Sequence, residues 1–596
     1  MALAPAIEFD DMFRTLTPAR RAQFRSRAAV WLGALLLTAS QIASARQAAI
    51  LSGRDIVHPV VARHGIVSSQ EATATKIGVE ILKKGGNAVD AAVAVGFALA
   101  VTLPRAGNIG GGGFMMVHMA GSGETVAIDY REMAPAGATH DMYLDASGNV
   151  DKQRARFSYM SVGVPGMVAG MALALEKYGS MSLAEVMVPA IYLAREGITV
   201  TPQMADSLQR RATRFSKHPA TARIFLHPDG TPLADGERLV QGDLARSLSQ
   251  VAEQGPDAFY RGEIAEKIAA DMAAHDGLIT KDDLKNYRAM VRKPVHGTYR
   301  GYDIYSMPPP SSGGIHVIQI LNILEDYPIT FLGHNTADTI HLMAEAMKLA
   351  YADRSKYLGD PGFWKVPMAG LTSKAYAAKL RERISLRYAT PSENIKPGDP
   401  LPYESNETTH FSVMDGAGNV VSNTYTLNFS FGSGIVADGT GILLNNEMDD
   451  FSSKPGVPNA YGLIGGKANA IEPGKRPLSS MTPTIVFKDG EAWFATGSPG
   501  GSRIITTTLQ IIMNVVDHQM NIAAATAASR VHHQWLPDKL RVEVGISDDT
   551  LDLLSAKGHQ IDVGNAMGSS QTVMHVEGAF LGAADPWRVG ASAQGY

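Results

Sequence analysis

The chain has 596 residues, and its 54 lysines and arginines nearly balance 58 acids; 45% of it is hydrophobic, as in ordinary soluble globular proteins. No basic stripe or charge block points to nucleic acid or an anionic membrane surface. Cysteine is absent, which excludes disulfides, thiolate zinc sites, iron–sulfur clusters and a cysteine nucleophile.

In chain order, Arg20, Arg21, Arg25 and Arg27 precede an apolar run, "AAVWLGALLLTA", and then "ASA" at Ala43–Ala45. Basic, apolar and small-residue regions in that order predict a secretory signal peptide over 1–45, hence a periplasmic or secreted protein. The alternative, a membrane anchor, needs about 20 apolar residues, and this run is shorter. Ser68 and Glu71 fit a capping box opening an amphipathic helix that ends at "KKGGN", and an apolar helix follows from Val89 to Leu103. Ser182 and Glu185 predict another helix start, and helical patterns recur near 262–274 and 336–354. "MPPPSSGG", Met307–Gly314, reads as irregular chain. After residue 407 the period changes to two. "THFSVMD", "GAGN" and "VVSNTYTLN" predict a hairpin, and "MTPTIVFK", "DG" and "EAWFATG" a second one. A long apolar helix over 504–516 follows. Helices flanking antiparallel hairpins predict a layered α+β fold.

Four stretches carry candidate chemistry. "ESNETTHFSV" places Thr408 at the head of a strand behind a polar loop. A hydroxyl needs a base before it can attack a carbonyl. His410 is one candidate, although a histidine at that position of a strand is more often packing. Scission before Thr408 offers another, because the new α-amine, with a pKa of about 7.8, is neutral in about one molecule in seven at pH 7. An unperturbed lysine is neutral in about one in 2,500. A strand can also begin with Thr simply because β-branching suits it. "GSPGGSR", Gly497–Arg503, joins a strand to a helix, and Gly500 and Gly501 could bring N–H groups close to an oxyanion or merely make a tight turn. "NNEMDDF" concentrates acids without the spacing of a calcium loop, and "KRPLSSMTP" offers two hydroxyls. "GNIGGGGF" lacks the Lys-Ser/Thr of a phosphate loop and runs into a strand, so no nucleotide site is expected. No histidine pair shows metal spacing, so no metal or cofactor is expected.

Taken together, "GGNAVDAAVA", "NIGGGGF", "IDYREMAP", "PPPSSGG", "YADRSKYLGDP", "ESNETTHFSV", "TLNFSFGSGI", "NNEMDDFS", "KRPLSSMTPT" and "GSPGGSRI", in that order, resemble the γ-glutamyltranspeptidase family from about residue 53 onward. "KPGVPNAYGLIGG" is similar to the lid of its bacterial members. The resemblance implies an αββα four-layer sandwich of the N-terminal nucleophile hydrolase type. It also implies self-cleavage between Glu407 and Thr408, giving a large subunit, 46–407, and a small one, 408–596, of about 40 and about 20 kDa that stay together as a heterodimer. Within that resemblance Thr408 is the nucleophile and supplies the α-amine base, Thr426 orients that amine, and Gly500 and Gly501 hold the oxyanion. Arg131, helped by Ser479 and Ser480, holds the substrate α-carboxylate. Asn428, Glu447 and Asp450 hold its ammonium, and Tyr461 covers the pocket. The implied partners are glutathione and other γ-glutamyl compounds, with water, amino acids or dipeptides as acceptors. Two rivals share the residues: a glutaryl or cephalosporin acylase on the same scaffold, and a non-catalytic exported binding protein for amino acids or peptides.

Overall fold

In the computed structural model, alternation along the strands decides which layer each side chain enters. Residues 57–400 and 410–596 are described, except 455, 458, 460 and 461. Along His410–Asp415, Phe411 and Val413 join a core with helices, while Met414 joins a core between two sheets. The other predicted hairpin strand, Val420–Thr426, pairs with it antiparallel, Ser412 opposite Ser422.

Two seven-stranded sheets are built wholly from antiparallel pairs. The first runs Ser592–Gly595, Gly65–Ser69, His410–Asp415, Val420–Thr426, Gly112–Met119, Glu124–Tyr130, Met290–Arg292. The second runs Val60–Ala62, Ala579–Ala584, Gln571–Val576, Glu491–Thr496, Thr484–Lys488, Tyr302–Ser306, Val295–Tyr299. Ile66, Phe114, Met116 and Met414 of the first sheet pack with Ile485, Phe487, Ala495 and Val573 of the second. Toward one end this apolar layer gives way to hydroxyl bridges: Ser412 Oγ donates to the Gln571 carbonyl at 3.1 Å, and Ser422 Oγ to that of Thr496 at 3.2 Å. Every one of those groups is buried, so the pairing relieves a desolvation cost of about 1–3 kcal/mol per group.

On the remaining faces sit helices. Ala88–Thr102 and Met167–Tyr178 share a core with Met115, Val117, Val413 and Val421 of the first sheet. Gly313–Leu324 and Arg503–Val516 share one with Ile304, Val486 and Phe494 of the second. Ala88–Thr102 is apolar on all sides and buried at every residue, as an enclosed helix must be. Its Asn87/Asp90 capping box fixes its start. The Ser182/Glu185 capping box also forms, and the helix patterns near 262–274 and 336–354 appear as Glu263–Ala274 and Ala337–Tyr357.

One expected start is different. Ser68 caps nothing: it lies in a strand paired on both sides, and its Oγ lies within hydrogen-bond distance of Gln571 Oε1 and the Ala583 carbonyl. Glu71 is itself the cap of Ala72–Lys83, accepting from the N–H groups of Thr73 and Ala74 at 2.8 and 2.9 Å. Sheet pairing outcompeted the local capping pattern. Although domains average about 100–200 residues, His58–Tyr596 is one compact unit. No helix among the described residues is long and apolar enough to cross a membrane. The expected signal segment lies outside the described residues.

Candidate active site

The glycine run before Gly112–Met119 brings the site's backbones together. A Cβ on Gly110 would lie 2.1 Å from the Leu443 carbonyl oxygen, and one on Gly111 would lie 1.9 Å from that of Thr426. "GNIGGGGF" is therefore a close-approach device that seats the end of Val420–Thr426 and the "NNEMDDF" segment, not a phosphate cradle. Asn445 completes the joint, its amide donating to the carbonyls of Gly110 and Gly163 at 2.8 Å each, while its oxygen accepts from the Glu447 N–H at 3.0 Å.

Thr408 and Glu407 lie outside the described residues, as does Tyr461. The strand that continues from Thr408 begins at His410, whose ring is wholly buried with Thr424 Oγ1 and Ser412 Oγ at its two nitrogens, 3.0 and 2.8 Å away. Burial drives its pKa down to about 3, and a Cβ on Gly497 would strike it. His410 is a packed core histidine, and no proton acceptor for Thr408 is offered there.

At the end of the partner strand, Val420–Thr426, a cavity of about 430 Å³ is lined by Thr426, Asn428, Glu447, Gly500 and Gly501. Thr426 Oγ1 accepts the N–H of Asn428 at 2.8 Å, and the Asn428 side chain donates to the Asn446 carbonyl at 2.9 Å. Asn428 takes φ 69°, a conformation asparagine tolerates better than most residues. Gly500 and Gly501 take φ 140° and 64°, just before the helix Arg503–Val516. Their N–H groups form no hydrogen bond among the described residues. Two free donors at a helix entrance suit a developing oxyanion.

Arg131 is fully buried, and it is not set opposite the acids but joined to them. Nη1 donates to Glu447 Oε1 and Nη2 to Asp450 Oδ2, both at 2.6 Å, while Nε donates to the Pro477 carbonyl at 3.3 Å. The residues expected to hold the two charges of one head group are thus paired with each other. Glu132, which the sequence reading passed over, adds a third buried carboxylate 3.6 Å from Nη1. Burial pushes the carboxyls of Glu132, Glu447 and Asp450 up against the opposing pull of Arg131, and neighbouring carboxylates add to the rise at Glu132 and Glu447; Glu132 reaches about 7. Burial opposes the charge of Arg131, but Glu447, Asp450 and Glu132 outweigh it and raise its pKa. Ser479 and Ser480 are buried in the next segment, threaded against "PPPSSGG": the Ser312 N–H donates to the Ser479 carbonyl, and the Ser479 N–H to that of Pro310. Asp450 also lines a second cavity, with Asn459, Leu463 and Asn469, on the side of the lid-like segment.

Away from this site, His341, Glu345 and His559 could present three metal-binding atoms. Glu345 already accepts from Lys348 Nζ at 2.8 Å and from the Thr390 N–H, so the cluster satisfies itself.

Comparison with known proteins follows the same lines. The family described as Gamma-glutamyltranspeptidase matches residues 74–595. A "Glutathione hydrolase proenzyme" of Escherichia coli (strain K12) is 57% identical, covering 91% of this chain and 93% of that protein. One of Pseudomonas sp. (strain A14) is 49% identical, covering 88% and 90%. Among solved structures, a cephalosporin acylase from Bacillus halodurans is similar with a TM-score of 0.82 at 30% identity, covering 92% of this chain and 98% of that one.

Proposed function

The chain belongs to the γ-glutamyltranspeptidase family, and from that membership we propose a glutathione hydrolase and γ-glutamyltransferase that cuts itself between Glu407 and Thr408. The observation that carries the site is the cavity uniting Glu447, the N–H groups of Gly500 and Gly501, and Thr426 at the end of the strand Val420–Thr426, which pairs with His410–Asp415.

In the precursor, Thr408 Oγ attacks the Glu407 carbonyl; the Glu407–Thr408 peptide bond breaks, which frees the Thr408 α-amine and leaves Glu407 as an ester on Oγ, and water then hydrolyses that ester to release the Oγ hydroxyl and the Glu407 carboxylate. In the mature enzyme that amine takes the Oγ proton as Oγ adds to the γ-glutamyl carbonyl. The carbonyl oxygen becomes an oxyanion received by the Gly500 and Gly501 N–H groups. Collapse breaks the amide bond, and the proton leaves on the departing amine. The γ-glutamyl ester of Thr408 then passes to water or to an amino acid or dipeptide. Thr426, anchored by Asn428, orients the α-amine.

The substrate head group enters by exchanging ion pairs. Its α-carboxylate takes the fork of Arg131, with Ser479 and Ser480 beside it; its ammonium takes Glu447 and Asp450, with Asn428. Tyr461 covers the pocket. A zwitterion replaces both halves of the Arg131 cluster together, whereas a glutaryl group leaves two acids without a cation. That difference favours γ-glutamyl over glutaryl substrates, although a cephalosporin acylase shares the fold. A non-catalytic binding protein has no use for a pair of N–H donors left without a hydrogen bond among the described residues.

We read the layers as an αββα sandwich, supported by the two helix-bearing cores on either side of the paired sheets. The 46–407 and 408–596 division has support in strand order. His410–Asp415 and Val420–Thr426 lie between Gly65–Ser69 and Gly112–Met119, so separating the fragments would strip hydrogen bonds from both sheets. Residues 1–45 direct export to the periplasm or beyond. Release rates on γ-glutamyl and glutaryl anilides test the reading: the purified enzyme should prefer the first by about 10²-fold or more. Equal rates, or a glutaryl preference, would transfer the chain to the acylases.

A further inference from the structure

The cavity over Gly500 and Gly501 carries a charge excess that γ-glutamyl binding leaves unanswered. Besides Thr426 and the glycines, the described residues of its wall include the guanidiniums of Arg105 and Arg588 against one carboxylate, from Glu447. That carboxylate is already engaged by Arg131. Among the described residues the Arg588 guanidinium donates only to uncharged carbonyls, those of Gly568 and Ala566 at 2.7 and 3.1 Å. The Arg105 guanidinium makes no hydrogen bond or ion pair among the described residues. Burial first, then Arg588 and Arg211, drive its pKa down to about 10, so its charge is held at a cost that an anion would relieve.

Its backbone is nevertheless firmly placed. The turn over 103–107 closes through the N–H groups of Ala106 and Gly107 on the Leu103 carbonyl, and the Phe431 N–H binds the Arg105 carbonyl at 2.9 Å. Arg105 also lines an adjoining cavity of about 440 Å³, and only Gln70 shares that double position. Arg105 therefore borders both the cavity over Gly500 and Gly501 and the one beside it.

Building on the γ-glutamyl reading, we infer that Arg105, with Arg588 beside it, binds the carboxylate of the leaving peptide and of the incoming acceptor, making it a specificity-determining residue for anionic partners. The substrate α-carboxylate already has Arg131, so the anion at Arg105 is a different one. Two sources share this chemistry: the C-terminal carboxylate of the departing peptide and that of the acceptor.

The test uses the mature enzyme, with glutathione, its C-terminal glycinamide analogue and a γ-glutamyl anilide as donors, and glycylglycine and its amide as acceptors. On wild type, kcat/KM for glutathione should exceed that for the glycinamide analogue by about tenfold or more. Arg105→Gln should abolish that preference while leaving anilide release within about twofold, and Arg105→Lys should restore part of it. The acceptor KM for glycylglycine should rise about tenfold in Arg105→Gln, with the amide unmoved. A change confined to donors assigns the site to the leaving peptide; one confined to acceptors assigns it to the acceptor. A wild type indifferent to the terminal carboxylate, or a variant that slows all substrates equally, overturns the inference. A wild type that releases no anilide at all sinks the γ-glutamyl reading instead.

Discussion

Two buried ion clusters begin two residues apart and are built on opposite terms. Asp129 accepts the Arg131 N–H at 3.0 Å and Arg476 on one oxygen, and Arg292 at 2.7 Å on the other. Arg476 spends its other nitrogen on the Arg288 carbonyl and lies over the Tyr287 ring. Cations surround one acid there, and both of its oxygens are used. Around Arg131 the ratio is reversed: three carboxylates lie on one guanidinium, and among the described residues neither oxygen of Glu132 makes a well-formed hydrogen bond. The first cluster ties the sheet strand to a loop. The second holds an excess of acid, which under the proposed function a substrate ammonium would answer. Saturation marks architecture here, and imbalance marks a place kept for a ligand.

Removing the cation from each cluster is the strongest way to break that contrast. Arg131→Met and Arg476→Met should each destabilise the fold by about 3–5 kcal/mol, because each strands buried acid. Only Arg131→Met should also lower kcat/KM on a γ-glutamyl anilide by about 10³-fold or more. Denaturant midpoints and kinetics on the folded fraction separate the two. If Arg476→Met raised KM equally, the division into architecture and ligand site would fail.

A smaller effect is expected from thinning the acids. Asp450→Asn should cost about 10–100-fold in kcat/KM through lost ammonium binding. It should leave stability unchanged or higher, since it relieves Arg131 of a surplus carboxylate. A large loss of stability would mean that Asp450 is structural.

The smallest effect concerns pH. Burial raises the Glu132 carboxyl from 4.5 to about 7 in the fold. A raised carboxyl lends stability fully below its unfolded value, and that stability is lost as pH rises through the folded one. Wild type should therefore lose ground to Glu132→Gln between about pH 4.5 and about pH 7, in urea titrations at several pH values. Parallel curves would show that Glu132 is already ionised within the fold.

Much of this was legible in the residues, for local reasons. The hairpins after 407 rest on period-two alternation, and the helix after Ser182 on a capping box within four residues. What escaped depends on distant partners. Arg131 and Glu447 are 316 positions apart, so their closure on each other has no local signature. The role of Gly110 and Gly111 follows from carbonyls of Leu443 and Thr426 that only the fold delivers. Ser68 failed as a cap because a sheet claimed it. Arg105 carried no signal beyond preceding "AGNIGGGGF"; its neighbours Arg503 and Arg588 come from the far end of the chain.

The account turns on a threonine that acquires its own base when the chain is cut. Sequencing the first residues of the smaller fragment of purified, active enzyme tests this most directly. The account predicts a single start, Thr-Thr-His-Phe, at Thr408, with Thr408→Ala remaining one uncut and inactive chain. Full activity from an uncut chain, or from a small fragment beginning at any other residue, would contradict it.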